Sequence, residues 1–323
     1  MDPVIEGFLA IGNLVPLKVF LMRRWFSYFV GLALLGSVAD TAVAQWDGGG
    51  GGPRGPGGRG FGGRGGRPRI RSSTDPVERG NVPSWPIDSR FPYDVFTFVR
   101  IKYPSTGWER SSYAWFTDWP GADLNLSFRL QQLTAIRVNP DPLVLELSDP
   151  RLVNYPWCIM SGPGNMVLTD GEAERLGSYL RNGGFLMVDD FWGQAEWDGV
   201  MSNINRALPG CEVVDLPRTH PIFHCVCDIP DSLSLQTPNI GWASRNRNTG
   251  ITWEDDHVGG NTRDPHFRAI HDAKGRIMVF LCHNTDNGDG WEEESSDPWF
   301  FSEFSEKKNY PLGINVVYYA MTH

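Results

Sequence analysis

The run Phe185-Leu-Met-Val-Asp189-Asp190-Phe191-Trp192 constrains the fold more than any other segment. It follows directly on Asn182-Gly183-Gly184, a stop signal for a helix that opens with the capping box Thr169-Asp170-Gly171-Glu172. A helix, a glycine stop and an uninterrupted apolar strand in succession specify an element buried on both faces, as in a parallel sheet covered by helices. Two adjacent carboxylates at the carboxyl end of such a strand fall where open α/β sheets gather their ligands.

The same alternation runs along the chain. Strands are predicted at Val95–Ile101, Leu143–Leu147, Trp157–Ser161, Phe185–Asp189, Glu212–Leu216 and Ile277–Cys282, and helices at Asp123–Ile136, after Thr169, at Ala195–Leu208 and at Tyr310–Met321. This is the signature of α/β construction with a mostly parallel sheet. Leu233 to Phe267 breaks the rhythm and reads as a long inserted loop or small hairpin over one edge, of a length usually either functional or disordered. Cys225 and Cys227 are expected in a strand with both side chains on one face. The segment His220-Pro-Ile-Phe-His224 reads as a turn leading into that strand, because Pro221 opposes a helix.

In a parallel sheet the residues just past each strand become neighbours. The candidate cleft therefore combines Arg100 and Tyr103 from the first strand with Gly162 and Gly164 after the third. It adds Asp189, Asp190 and Trp192 after the fourth, and His283, Asn284, Asp286, Asp289 and Trp291 after the last. Asp189 and Asp190 alternate in direction if the strand persists, so one faces the cleft and its partner helps start the next helix. Asp190, His283 and Asp286 are the candidate ligands for a divalent metal, the one cofactor the residues suggest. Asp286, Asn287, Asp289 and Glu292 resemble calcium-loop material, but the EF-hand spacing is not met. There is no G-x-S-x-G elbow and no CxxC pair, so neither a serine nucleophile nor a structural zinc site is indicated. Trp108, Trp115, Trp119, Trp192, Trp197, Trp291 and Trp299 sit in or near predicted loops and give the sequence its one hint of carbohydrate.

Of the 323 residues, the first 91 read as targeting and linker sequence. Residues 1–21 form an upstream extension and Met22 the expected start. Residues 22–44 have the charged, apolar and small-residue regions of a signal peptide, an apolar run short for a membrane anchor. Residues 45–91 form a Gly/Arg/Pro-rich linker expected to be disordered, and 92–323 a single α/β domain. Gly48 to Arg71 carries six arginines and no acid, whereas Ser72 to His323 carries 20 basic and 34 acidic residues, about −14 in formal charge. An acidic body argues against nucleic acid as a partner, and the basic tract fits a solvated leash or contact with an anionic envelope polymer. The expected location is periplasmic or extracellular. Five cysteines in an oxidising compartment leave at least one unpaired within the chain.

The chain resembles a bacterial family, domain-of-unknown-function family 4159, grouped with proteins of class I glutamine amidotransferase-like fold. The residues that carry the likeness are Phe98-Val-Arg100-Ile-Lys-Tyr103, Tyr155-Pro-Trp-Cys-Ile-Met-Ser-Gly162, Leu168-Thr-Asp-Gly-Glu172 with Leu180-Arg-Asn-Gly-Gly-Phe-Leu-Met-Val-Asp-Asp190, and His220-Pro-Ile-Phe. The resemblance implies a flavodoxin-like three-layer sandwich. Amidotransferases carry a cysteine between glycines after the strand matching Phe185–Asp189, and here Asp189-Asp190-Phe191-Trp192 stands instead, so thiolate chemistry is not expected. Two functions remain in view: a non-catalytic exported module that binds a small-molecule ligand or an envelope protein at the strand-end cleft, and a metal-dependent hydrolase acting on carbohydrate.

Overall fold

A computed structural model describes residues 77–91, 94–106, 114–255 and 260–323. The signal segment, the Arg/Gly tract, Trp108 and Tyr93 lie outside the described residues. In chain order the principal elements are β1 (Val99–Lys102), α1 (Gly121–Leu133), β2 (Leu143–Glu146), β3 (Trp157–Ser161), α2 (Asp170–Arg181), β4 (Phe185–Phe191), α3 (Gly193–Ala207), β5 (Val213–Asp215), α4 (Ile240–Asn246), β6 (His266–His271), β7 (Ile277–His283), α5 (Asn287–Glu292) and α6 (Tyr310–Thr322). The strands form one sheet in the order β2-β1-β3-β4-β7-β6-β5. Pairing is parallel from β2 to β7, and β6 runs antiparallel to both β7 and β5.

Alternation along the central strands builds two cores. Cys158, Met160, Leu186, Val188, Val279 and Leu281 pack with Leu176 of α2 and Val200 and Ile204 of α3. Trp157, Ile159, Phe185, Met187, Phe280 and Cys282 point the other way, onto Leu126 and Leu130 of α1 and Ile314 and Val317 of α6. Consecutive strand residues thus feed opposite helical layers, and that is why these strands read as unbroken apolar runs. Cys158 and Cys282 act as small core hydrophobes, and all five cysteines are free thiols. Across one layer, a Cβ at Gly177 of α2 would strike the Ala207 carbonyl of α3. Gly177→Ala is therefore expected to lower stability by about 1–3 kcal/mol, seen as a lower denaturant midpoint at unchanged m.

Three expectations are corrected. Cys225 and Cys227 are not in a strand: Asn315 of α6 accepts from the Val226 and Cys227 amides and donates to the Cys227 carbonyl, occupying the groups a ladder needs. His220 likewise leads only into the short 3-10 turn Pro221–Phe223, which it caps through Nδ1. The inserted segment holds α4 and runs into β6, a strand the sequence reading missed. The end of the linker, from Val77, also lies on the domain. Trp85 donates to the Val138 carbonyl and stacks on Phe128, and Arg79 reaches the Pro140 carbonyl and Asp141. Among the described residues no helix is long and apolar enough to cross a membrane.

Candidate functional site

The carboxyl ends of β1, β3, β4 and β7 share one edge, with Ser161 in register with Asp189 and Phe191 with His283. The β4 register shifts between Val188 and Phe191, and inside that irregularity Asp190 takes φ 55°. Asp118 (φ 65°) and Asn284 (φ 61°) are the other non-glycine residues in this conformation among those described. All three stand at this edge, and left-handed backbone at non-glycine positions tends to gather where a site requires it.

Asp189 points inward and is fully buried. Its carboxylate accepts from the Asn287 amide (2.9 Å), the Gly288 amide (3.0 Å) and Asn287 Nδ2 (2.7 Å), so it holds the N-terminus of α5. Asp286, the N-cap of that helix, accepts from the Asp289 amide. The π-helical segment Phe301–Asn309 braces α5 from outside, where Asn309 Nδ2 donates to Asn287 and the Asn309 carbonyl accepts from Trp291. Rare π segments recur at functional sites. Held in this way, α5 projects Asp289 and Glu292 toward Asp118. Ligand oxygens of Asp118, Asp289 and Glu292 all lie within 4.8 Å of one another, the one such cluster found among the described residues.

The approach is as close as glycine allows: a Cβ on Gly288 would collide with the Asp118 carboxylate, and one on Gly121 would press on Glu292. Asp118 accepts from Ser161 Oγ (3.2 Å), and Asp289 from the Ile240 amide (2.6 Å). Burial, reinforced by Asp289, Glu292 and Asp190, raises Asp118 well above the usual carboxylate range. Burial followed by Asp190 and Asp289 does the same to Asp286. Asp289 is also raised, by burial and then Glu292 and Asp190, against its hydrogen bond from Ile240. Glu292 is pushed up to about 7 by burial and Glu293, and Asp189 to about 7 by burial against its three hydrogen bonds. Arg100 tempers Asp118 and Glu292, but its guanidinium is bound by Asp123 (Nη2 to Oδ2, 2.5 Å) and donates to the Trp115 and Thr117 carbonyls.

Of the residues expected in the cleft, Asp190, Asp286 and Asp289 come together within mutual electrostatic reach. Arg100, Tyr103, Trp192 and Trp291 are buried supports. Tyr103 Oη donates to the Ser161 carbonyl and Trp192 Nε1 to Asp190. Gly162 lies beside Asp190, and Gly164 packs on Glu196. Asn284 ties the Gly193 amide to the carbonyls of Asn261 and Asp264. His283 turns to the α3 side. It stacks between Phe191 and His266, its Nε2 meets the Gly193 carbonyl at 3.0 Å, and its Nδ1 meets Arg268 at 3.2 Å. Since a guanidinium can only donate, Nδ1 accepts and the proton sits on Nε2. Neither nitrogen is turned to the acids.

Asp118 escaped the sequence reading because it lies in the β1–α1 loop and ends no apolar run. Its one visible signal is an acid just ahead of Trp119-Pro120-Gly121 at the start of a helix. The tryptophans behind the carbohydrate expectation differ in burial. Trp115, Trp119, Trp192 and Trp291 are buried, and the half-buried Trp197 and Trp299 are covered by Arg268 (4.4 Å) and Arg247 (4.5 Å).

The family described as domain of unknown function DUF4159 matches residues 97–321, from the start of β1 to the end of α6. The chain belongs to the DUF4159 family. In this DUF4159 domain the matched span contains every acid of the edge cluster. No curated protein matches the chain.

Burial pushes the His283 imidazole down to about 4, against its hydrogen bond to Gly193, while Arg268 and His266 repel its charged form. A depressed histidine contributes stability that is present above its ordinary 6.5 and is lost as pH falls toward 4. The stability difference between wild type and His283→Gln should therefore shrink across that window by up to about 3 kcal/mol. Denaturant titrations of both proteins at stepped pH measure it, and a difference that stays flat would contradict this assignment.

Proposed function

We propose that the domain is an exported ligand-binding module of amidotransferase-like fold whose strand-end crevice holds a hard divalent cation, and through it an oxygen-bearing ligand. The convergence of Asp118, Asp289 and Glu292 within 4.8 Å carries this reading. Carboxylates pressed together out of water must be neutralised by protons or by a cation, and an all-oxygen donor set suits magnesium, calcium or manganese rather than zinc or copper. Export rests on the charged, apolar and small-residue succession from Met22 to Ala44. Thiolate amide hydrolysis finds no support: Asp190 stands at the elbow, and the Trp192 and Gly193 amides that open α3 already have Glu196 and Asn284 as acceptors.

Hydrolysis is the second reading, favoured by one observation: three carboxylates leave much of a six-coordinate sphere open to water. Calorimetric titration of the full chain with magnesium, calcium, manganese and zinc tests the binding reading. Saturable binding of a hard cation is expected, lost in Asp118→Asn/Glu292→Gln and kept in His283→Gln. Zinc preferred over all three, or binding unchanged in the double variant, would contradict it. Metal-dependent turnover of activated glycosides or esters would favour the hydrolase.

A further inference from the structure

The segment His220-Pro-Ile-Phe-His224 places two histidines four residues apart with opposite hydrogen-bonding roles. An N-cap is ordinarily Ser, Thr, Asp or Asn, whose oxygen goes on accepting from roughly pH 7 down to roughly pH 5. Here His220 caps the 3-10 turn Pro221–Phe223, its Nδ1 accepting from the Ile222 amide at 3.2 Å. An imidazole nitrogen accepts only while the ring is neutral, so the proton sits on Nε2 and the cap exists in the uncharged form alone. The ring is half-buried and lies 5.8 Å from Tyr319 of α6. It is faced by His323, stacked on that tyrosine, and by His271 at the end of β6, with Asp272 and Arg276 beyond Tyr319. Burial, then these two histidines, hold its imidazole below the ordinary value. The turn that it caps seats the fully buried Ile222 and Phe223 in the core layer of α6, where Phe223 meets Phe267 edge-on at 5.8 Å.

His224 Nδ1 meets Asp228 at 2.8 Å and its Nε2 meets the Arg218 carbonyl at 2.6 Å, with Asp231 3.7 Å away. Carboxylate and carbonyl can only accept, so both nitrogens donate and the ring is held as an imidazolium, raised by the Arg218 carbonyl and then Asp228.

We infer that His220 is a proton-operated latch: taking up a proton turns its one acceptor into a donor, releases the Ile222 amide and opens the turn Pro221–Phe223, while His224 keeps the rest of the segment closed. The contribution of a depressed histidine is present above its ordinary 6.5 and is lost as pH falls through its folded value, whereas that of the raised His224 is complete below 6.5 and is lost as pH rises. Acid therefore loosens the first end of the segment and tightens the second. Beyond it the Val226 and Cys227 amides are held by Asn315, which does not titrate. This inference is independent of the cation site.

Amide hydrogen exchange of the full chain at about pH 7.5 and about pH 5, with rates corrected for the pH dependence of the exchange chemistry itself, tests it. At the lower pH, exchange of the Ile222, Phe223 and His224 amides, all bonded within the turn, is expected to quicken on the order of fivefold, with no matching change at Val226 and Cys227. His220→Asn, whose amide oxygen accepts at both pH values, should stay protected at both, and unchanged melting at the higher pH confirms that it folds. His220→Ala should lose the protection at both. Equal protection of the wild type at the two pH values, a pH response that persists in His220→Asn, or a change at Val226 and Cys227 as large as that at Ile222 overturns the inference.

Discussion

Arg100→Met is expected to destabilise the domain by about 3–5 kcal/mol, because it leaves Asp123 buried and without its counter-charge. Both side chains are essentially inaccessible, at 1% and 0% exposure, and the guanidinium grips the carboxylate through Nε and Nη2 while Nη1 holds the Thr117 carbonyl at 2.8 Å. Arg100→Lys should recover little, since an ammonium cannot reproduce that fork. Arg100→Met/Asp123→Leu should recover a large part, because a buried pair replaced by apolar side chains of similar volume is often neutral. Denaturant midpoints of the three variants measure this, and a double variant no better than the single would contradict it. The consequence reaches the site, since the loop gripped by Arg100 presents Asp118.

Asp189→Ala should remove about 2–4 kcal/mol. Three donors on α5, two of them backbone amides, would lose their acceptor in a buried setting, and each orphaned donor is worth about 1–3 kcal/mol before relaxation. Asp189→Asn should be nearly as damaging, because its amide group turns a donor toward donors. Midpoints within about 0.5 kcal/mol of wild type would show that Asp189 is not the anchor of α5.

The strands of the central sheet were the most legible part of the chain. Trp157–Ser161 appears with the bounds expected, and Phe185–Asp189 extends only to Phe191, because a strand buried on both faces leaves little choice of residue. β6 was missed. One place in from the edge strand β5, His266-Phe-Arg-Ala-Ile-His271 is only half-buried and largely alternates polar with apolar, a pattern too short to stand out beside an irregular loop. In the site, Asp190, Asp286 and Asp289 were readable because they follow apolar strands. Asp118 was not, since only the tertiary approach of α5 gives it neighbours, and that approach depends on the missing side chain of Gly288. The placement of His283 depends on strand parity: it shares a side with Leu281, toward α3, while the carboxylates gather beside α5. Asn315, buried on α6, overrode the strand propensity around Cys225 through three hydrogen bonds to backbone that sequence periodicity does not register.

Thermal unfolding of the full chain with and without manganese, calcium or magnesium, at about pH 7.5 and about pH 4.5, tests the cation site most directly. The raised carboxyls of Asp118, Asp286, Asp289 and Glu292 mean that the folded state holds extra protons, so their contribution is present at acid pH and is lost as pH rises through their folded-state values, which for Glu292 is about 7. A cation takes over from those protons only once they have left. At 100 times its Kd it should add about 2.7 kcal/mol near pH 7.5, a rise of roughly 5–10 °C, and almost nothing near pH 4.5. Melting temperatures that ignore all three cations near pH 7.5, or that rise equally in Asp118→Asn/Glu292→Gln, would contradict the account.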